Sequence, residues 1–335
     1  MYIKASTLDD LLRDVLSKLI ENNEWQTASR GKFTELFAPT LHLTNPRARL
    51  SRSEMKGKVF SALGEWLWYL SGTNDYTFID YYIPGKYRDE TEDGKTVRSG
   101  YGERLFGFRG LNQLDSVIGL LKRRRSTRRA VIQLFDASDI ERDYASIPCT
   151  CTLQFMMRGD RLHLYVNMRS NDAYFGLPHD VFAFTMLQEM IARSIGVDLG
   201  EYKHAVGSLH LYELQVDAAT AYLGEAWQAT VAMPSMPPGD PWESVEKVRE
   251  IERRLREEGK SDIARSDLSE YWRDLCRLLA AYRAGRDHDL TRLNGIRAEL
   301  NSATYRVFVE ARIDKLSAEL NAKSVEGGTR GSGNP

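Results

Sequence analysis

The sequence predicts an α+β protein, a β-sheet layered with helices, with a helical appendage toward its C-terminal end. Three patterns predict it. Apolar residues recur at helical spacing through roughly the first 120 residues. Short alternating or apolar runs follow between 130 and 212. Helical spacing then returns, in highly charged surroundings, beyond Pro241. The 335 residues are 42% hydrophobic and 28% charged, which suits a soluble globular chain with a large core.

Leu8, Leu11, Leu12, Val15, Leu16 and Leu19 predict a first helix, with Thr7 as its cap. Val59, Phe60, Leu63, Trp66, Leu67 and Leu70 predict a second, stopped near Gly72. Residues 83–100 are polar, hold Pro84, Gly85, Gly94 and Gly100, and read as a long loop of the kind that carries function. Leu111, Leu114, Val117, Ile118 and Leu121 predict a third helix. Strands are expected at 130–135, 150–157, 161–167 and 203–212, with Gly159-Asp160 turning between the middle two. Residues 181–195 are apolar nearly all round and predict a buried helix. These elements divide the chain into an α+β domain over 1–235, a helical appendage over 241–322 and a disordered tail over 323–335.

A formal net charge of -1 argues against a nucleic-acid surface. Three cysteines are too few and odd in number for a disulfide framework, which favours a reducing compartment. The start Met1-Tyr-Ile-Lys-Ala-Ser has no apolar core behind a basic segment, and no run approaches the roughly 20 apolar residues that span a bilayer. The expectation is a cytoplasmic protein with neither a nucleic-acid nor a membrane partner.

Pro148-Cys149-Thr150-Cys151 opens a strand. A thiolate there is a candidate nucleophile, although a free Cys is more often a small buried apolar residue. Cys149 and Cys151 would share a face of a regular strand, but no Cys/His set at suitable spacing completes a metal site, so no metal is expected. Arg123–Arg129 is a basic run whose plain explanation is a solvated helix end. Arg128 and Arg129 lead straight into a strand, where paired guanidinium groups suit a phosphate. His204, His210 and Tyr212 share a side of one strand and by themselves read as the polar face of a sheet.

Together these segments resemble the thymidylate synthase family. The resemblance runs from about Leu8 to Tyr212. Its pattern Pro-Cys…Gln-Phe stands as Pro148-Cys149…Gln154-Phe155. Its Arg-Ser-x-Asp-x-x-x-Gly-Leu-Pro stands as Arg169-Ser170-Asn171-Asp172…Gly176-Leu177-Pro178, and its His-x-Tyr as His210-Leu211-Tyr212. The resemblance implies a mixed β-sheet layered with helices and a homodimer with shared active sites. It implies Cys149 adding to C6 of a pyrimidine nucleoside monophosphate, with 5,10-methylenetetrahydrofolate as co-substrate. It places Arg30, Arg169 and Ser170 on the 5′-phosphate, and Arg128 and Arg129 on the phosphate of the neighbouring subunit. His210 and Tyr212 fall on the sugar, Glu65 on water and proton transfer, Tyr101 near C5, and Asp172 and Gly176 on the folate side.

The departures carry the rest. Synthases have Asn after Gly-Leu-Pro-Phe; this chain has His179-Asp180. An Asn amide donates to uracil O4 and accepts from N3–H, whereas cytosine reverses that edge. A carboxylate accepts from N4 and stabilises a proton on N3, which draws electrons from C6. Cytidylate hydroxymethylases, relatives within the family, carry Asp here. Thr150 replaces a His, Ser208 replaces an Asp, and Asp80, Tyr81 and Tyr82 stand where tryptophans are usual. The tail ends Gly-Ser-Gly-Asn-Pro in place of a short apolar terminus. A wetter site lets water capture the exocyclic methylene. The expectation is 5-hydroxymethylation of CMP or dCMP. The alternatives are a divergent thymidylate synthase acting on dUMP, and a catalytically silent relative that binds through the appendage.

Overall fold

The computed structural model describes residues 1–329 except Asn23, Ser29, Arg30, residues 54–57, Gln228 and Thr230, with side chains described as far as Ala322. Arg30, expected on the phosphate, lies outside the described residues. The chain forms two compact units, one over Met1–Glu243 and one from Ser244 onward.

The first unit is built on one eight-stranded mixed sheet. Its strands are β1 (Tyr2–Ala5), β2 (Gln26–Ala28), β3 (Gly31–Phe37), β4 (Thr40–Leu43), β5 (Val131–Gln133), β6 (Thr150–Arg158), β7 (Arg161–Asp172) and β8 (Asp198–Tyr212). The order is β1-β4-β8-β7-β6-β5, with β3 also on β8 and β2 on β3. The β1/β4 and β7/β8 pairs are parallel and the others antiparallel. Helices α1 (Leu8–Glu21), α2 (Val59–Leu70), α3 (Tyr76–Tyr82), α4 (Gly102–Phe106), α5 (Gln113–Arg123), α6 (Gly176–Ser194) and α7 (Val216–Gly224) complete it.

Local chemistry accounts for the elements that frame the site. Thr7 accepts the Asp10 amide at 3.0 Å and starts α1, whose leucines are buried. In α2 a Cβ at Gly64 would lie 2.2 Å from the Tyr82 ring, so the glycine lets α3 come close. Pro178 is tolerated in the first turn of α6, where its missing N–H has no helical partner. The helix is buried nearly all round, as its composition predicts.

The structure corrects several boundaries. β7 extends to Asp172, because Ser170 and Asp172 pair with Ser208 and His210 of β8 through the main chain. α6 begins at Gly176, so the Gly-Leu-Pro-His-Asp segment is helical. Register shifts between Thr150 and Thr152 give β6 one extra residue, a bulge at Cys151. The strand is therefore not regular there, and the spacing argument for a shared Cys149–Cys151 face does not hold.

In the second unit α8 (Trp242–Glu258) leads to α9 (Glu270–Arg286), α10 (Leu290–Glu299) and α11 (Ala303–Thr329). Buried Asp274 of α9 accepts the Asn301 and Ser302 amides at 3.0 and 2.8 Å and fixes the turn between α10 and α11. α11 continues to Thr329, through the start of the expected disordered tail. Ala322-Lys-Ser-Val-Glu326 holds no helix breaker before Gly327. No helix among the described residues is long and apolar enough to cross a membrane.

Candidate active site

Cys149 stands where the chain enters β6, and Arg169 of β7 holds it. The Arg169 amide donates to the Cys149 carbonyl at 2.9 Å. Its guanidinium donates to the carbonyls of Pro148 at 2.9 Å and Ile147 at 3.2 Å, and lies 3.7 Å from Cys149 Sγ. Burial pushes the thiol above its ordinary pKa, and the Arg169 charge pulls it back. The rest of this exposed guanidinium is available to an anion.

Tyr101 is buried behind the nucleophile. Its hydroxyl accepts the Thr150 amide at 3.1 Å and lies 2.8 Å from Thr150 Oγ1. The residue that replaces the family's His thus anchors this tyrosine one position from Cys149. Tyr69 and Phe184 pack on the ring, with centroids 4.9 and 6.1 Å away.

Glu65 on α2 is 4% exposed. Its Oε1 accepts from Tyr69 at 2.7 Å and Tyr87 at 3.3 Å. Its Oε2 is buried with no hydrogen-bond partner among the described residues. A buried acceptor left unpaired is unfavourable by about 1–3 kcal/mol, so this oxygen fits a position completed by substrate or water.

Asp180, in the first turns of α6, is 8% exposed. Burial holds its carboxyl well above the ordinary range, and Glu65 pushes it further. Lys86 and a hydrogen bond from Asn171 oppose this. Asn171 lies against Met168 and fully buried His204. A Cβ at Gly176 would lie 2.7 Å from Asn171 Oδ1, so this glycine leaves room for the amide that supports Asp180.

The far ends of β7 and β8 lie side by side. Ser170 is opposite Ser208, and Asp172 opposite His210. His210 packs edge-on to Tyr212, with centroids 5.0 Å apart. The Ser208 hydroxyl donates to Glu35. Asp172, expected on the folate side, is engaged within the chain. One oxygen accepts the Tyr174 and Phe175 amides, each at 2.8 Å, and the other accepts Gln215 Nε2 at 2.8 Å. It clamps the turn that launches α6. Arg128 and Arg129 are exposed just before β5.

The structure thus gathers Cys149, Tyr101, Glu65, Asp180 and Arg169 around one centre, with Ser170, Asp172, His210 and Tyr212 on the adjoining strand ends. Sequence reasoning missed Tyr69, Tyr87, Lys86, Asn171 and His179. Tyr69 had a local signal, lying one helical turn after Glu65, and Lys86 and Tyr87 had a coarser one, lying on the loop over 83–100. A cleft of about 230 Å³ opens beside the centre, walled by Tyr82, Ile83, Pro84, Tyr174, Phe175 and Pro178, with Lys58 and His179 on its lining. Aromatic and apolar walls with a lysine suit a flat heteroaromatic carrying an anionic tail, the chemistry of a folate.

A thymidylate synthase family model matches residues 10–238. Thymidylate synthase 1 of Bacillus subtilis (strain 168) is 28% identical over 225 residues, covering 62% of this chain and 79% of that protein. The deoxyuridylate hydroxymethyltransferase of Delftia phage PhiW-14 is 30% identical over 212 residues, covering 59% of this chain and 58% of that protein. The deoxyuridylate hydroxymethyltransferase of Pseudomonas phage M6 is 33% identical over 177 residues, covering 52% of this chain and 50% of that protein. The chain therefore spans between half and three fifths of these phage proteins. The family's one-carbon donor is 5,10-methylenetetrahydrofolate. The gathered residues and the matched span lead to one conclusion: the chain belongs to the thymidylate synthase family and is an enzyme of one-carbon transfer to a pyrimidine nucleotide.

Proposed function

We propose that this enzyme adds a hydroxymethyl group to C5 of a cytidine monophosphate, CMP or dCMP, and that it works as a homodimer. The observation that carries the proposal is Asp180, a buried carboxyl whose environment is coupled to both Cys149 and Glu65. Burial favours its protonated form. A carboxylic acid offers an O–H to cytosine N3 and a carbonyl oxygen to the N4 amino group. Moving that proton toward N3 draws electrons from C6, where the Cys149 thiolate attacks. Electron density then reaches C5, which takes the one-carbon unit that methylenetetrahydrofolate supplies. Glu65 organises water at the ring, a role supported by one oxygen held by two tyrosines and the other without a hydrogen-bond partner among the described residues. Arg169 and Ser170 hold the phosphate, His210 and Tyr212 the sugar, and Arg128 and Arg129 reach the partner's phosphate.

One observation favours a second reading. A protonated Asp180 also presents a donor to uracil O4 and an acceptor to N3–H. The printed names of the two phage relatives specify deoxyuridylate. Hydroxymethylation of dUMP is therefore the competing outcome, and methylation of dUMP to dTMP the third. One experiment separates them. CMP, dCMP, UMP and dUMP are each incubated with methylenetetrahydrofolate, the nucleotide products are identified by mass, and dihydrofolate is followed by absorbance. The proposal expects 5-hydroxymethyl product from a cytosine nucleotide with no dihydrofolate. Faster turnover of a uracil nucleotide rejects it.

A further inference from the structure

His179 holds a place in the site that the residue roles assigned above do not use. It precedes Asp180 on α6, and successive helical residues project about 100° apart. Asp180 is buried beside Cys149 and Glu65, while His179 lines the cleft. The ring is fixed at both nitrogens. Nδ1 lies 3.0 Å from the Phe175 carbonyl oxygen, and Nε2 lies 2.9 Å from Ser61 Oγ. A carbonyl only accepts, so Nδ1 carries the hydrogen and the neutral ring presents Nε2 as an acceptor. The Ser61 hydroxyl has a second acceptor in the Lys58 carbonyl at 3.2 Å, so a water can take its place at Nε2. Ser61 and Glu65 stand four residues apart on one face of α2, about 6 Å along the axis. The His179 acceptor therefore lines the cleft against Ser61, which stands about one helical turn before Glu65 on α2.

Resting on the hydroxymethylation proposed above, we infer that His179 Nε2 binds the water that captures the exocyclic methylene and takes its proton. In this step the water oxygen bonds the methylene carbon and one water proton passes to Nε2. The electron pair of the C5–methylene double bond moves into the ring. It then re-forms C5=C6 as the Cys149 thiolate leaves C6. The proton goes on to solvent, nothing is oxidised or reduced, and the product is the 5-hydroxymethyl nucleotide. Nδ1–H on Phe175 fixes which nitrogen is basic and holds the ring while water occupies Nε2, and Ser61 orients Nε2 before the water binds.

The test compares the unaltered enzyme with His179→Phe, a flat ring of similar size without nitrogens, and with Ser61→Ala. Nucleotide tritiated at C5 reports bond formation at C5 through tritium release, and product mass reports water capture. His179→Phe is expected to lower hydroxymethyl product per tritium released by roughly tenfold or more. The lost turnover then appears as 5-methyl product or as a trapped covalent adduct. Ser61→Ala is expected to lower the same ratio less than tenfold. Independently of turnover, nitrogen-15 spectra of the histidines in the protein without substrates, assigned by difference with His179→Phe, are expected to show Nδ1–H for His179. An unchanged ratio in His179→Phe, or an Nε2–H tautomer, overturns the role of His179 and leaves the hydroxymethylation standing. If the unaltered enzyme makes only 5-methyl nucleotide, the proposed function fails and this inference with it.

Discussion

At the scale of single residues, the proposed reading of the base rests on Asp180. Asp180→Asn restores an amide that fits uracil and mismatches cytosine. The cytosine-to-uracil ratio of kcat/KM is expected to fall by roughly 10²-fold, in line with about 1–3 kcal/mol per paired edge. Steady-state kinetics with the four nucleotides checks it. The same carboxyl makes stability depend on pH. Held well above the ordinary range, it keeps a proton in the folded protein that the unfolded chain gives up. The folded state therefore binds more protons between those two pKa values, and this contribution is lost as pH rises through that interval. The limit is about 1.4 kcal/mol per pH unit. Asp180→Asn removes the effect, so its stability relative to the unaltered protein is expected to rise with pH, as denaturant titrations at stepped pH would read. Arg169 acts on the nucleophile. Arg169→Gln removes the largest charge that opposes burial at the Cys149 thiol, leaving only the weaker pull of Lys86, and alkylation of Cys149 by iodoacetamide near neutral pH is expected to slow severalfold. Cys149→Ser gives the background rate.

At the scale of elements, the tightest joint near the site is α2 on α3. Gly64→Ala drives a methyl into the Tyr82 ring and is expected to cost about 1–3 kcal/mol, read from the denaturation midpoint. Tyr82 walls the cleft, so folate KM should rise in the same variant. The contrast between elements explains what the sequence made legible. α1 and α6 follow from the spacing and density of their apolar residues. β1 to β4 were not expected at all. They are short, and β3 and β4 run along β8 on either side of Ala38, whose φ of 51° interrupts them. Their pairing is set by distant main chain. For the same reason Cys149 and Arg169 could be picked out by motif, while Lys86, Tyr87 and Asn171 reach the centre only through tertiary packing. Residues 83–100 were singled out as a functional loop, and Lys86 and Tyr87 lie on it.

At the scale of the whole molecule, the sheet argues for a partner. Along β6 and β7, Leu153, Phe155, Leu164 and Val166 are buried, while Gln154, Met156, Tyr165 and Asn167 alternate with them and stay partly exposed. Val131 at the β5 edge is 40% exposed, and Arg128 and Arg129 stand just before it. In the proposed homodimer a second copy laid on this face would form an isologous pair, with each arginine pair reaching the partner's site. Mixing Cys149→Ser with an Arg128→Gln, Arg129→Gln double variant is then expected to regenerate up to about a quarter of full activity, because random exchange restores one intact site in half of the dimers. Sedimentation of the unaltered protein should give a dimer.

The parallel pairing of β7 with β8 carries a kinetic consequence. Parallel neighbours cannot be joined by a tight turn, and here the connection includes all of α6. The ends of β7 and β8, proposed above to hold the phosphate and the sugar, are therefore expected to meet only after that helix has docked. Such non-local closure is slow. On dilution from denaturant, helical signal should return early and nucleotide binding last, in step with protection of the α6 amides from hydrogen exchange.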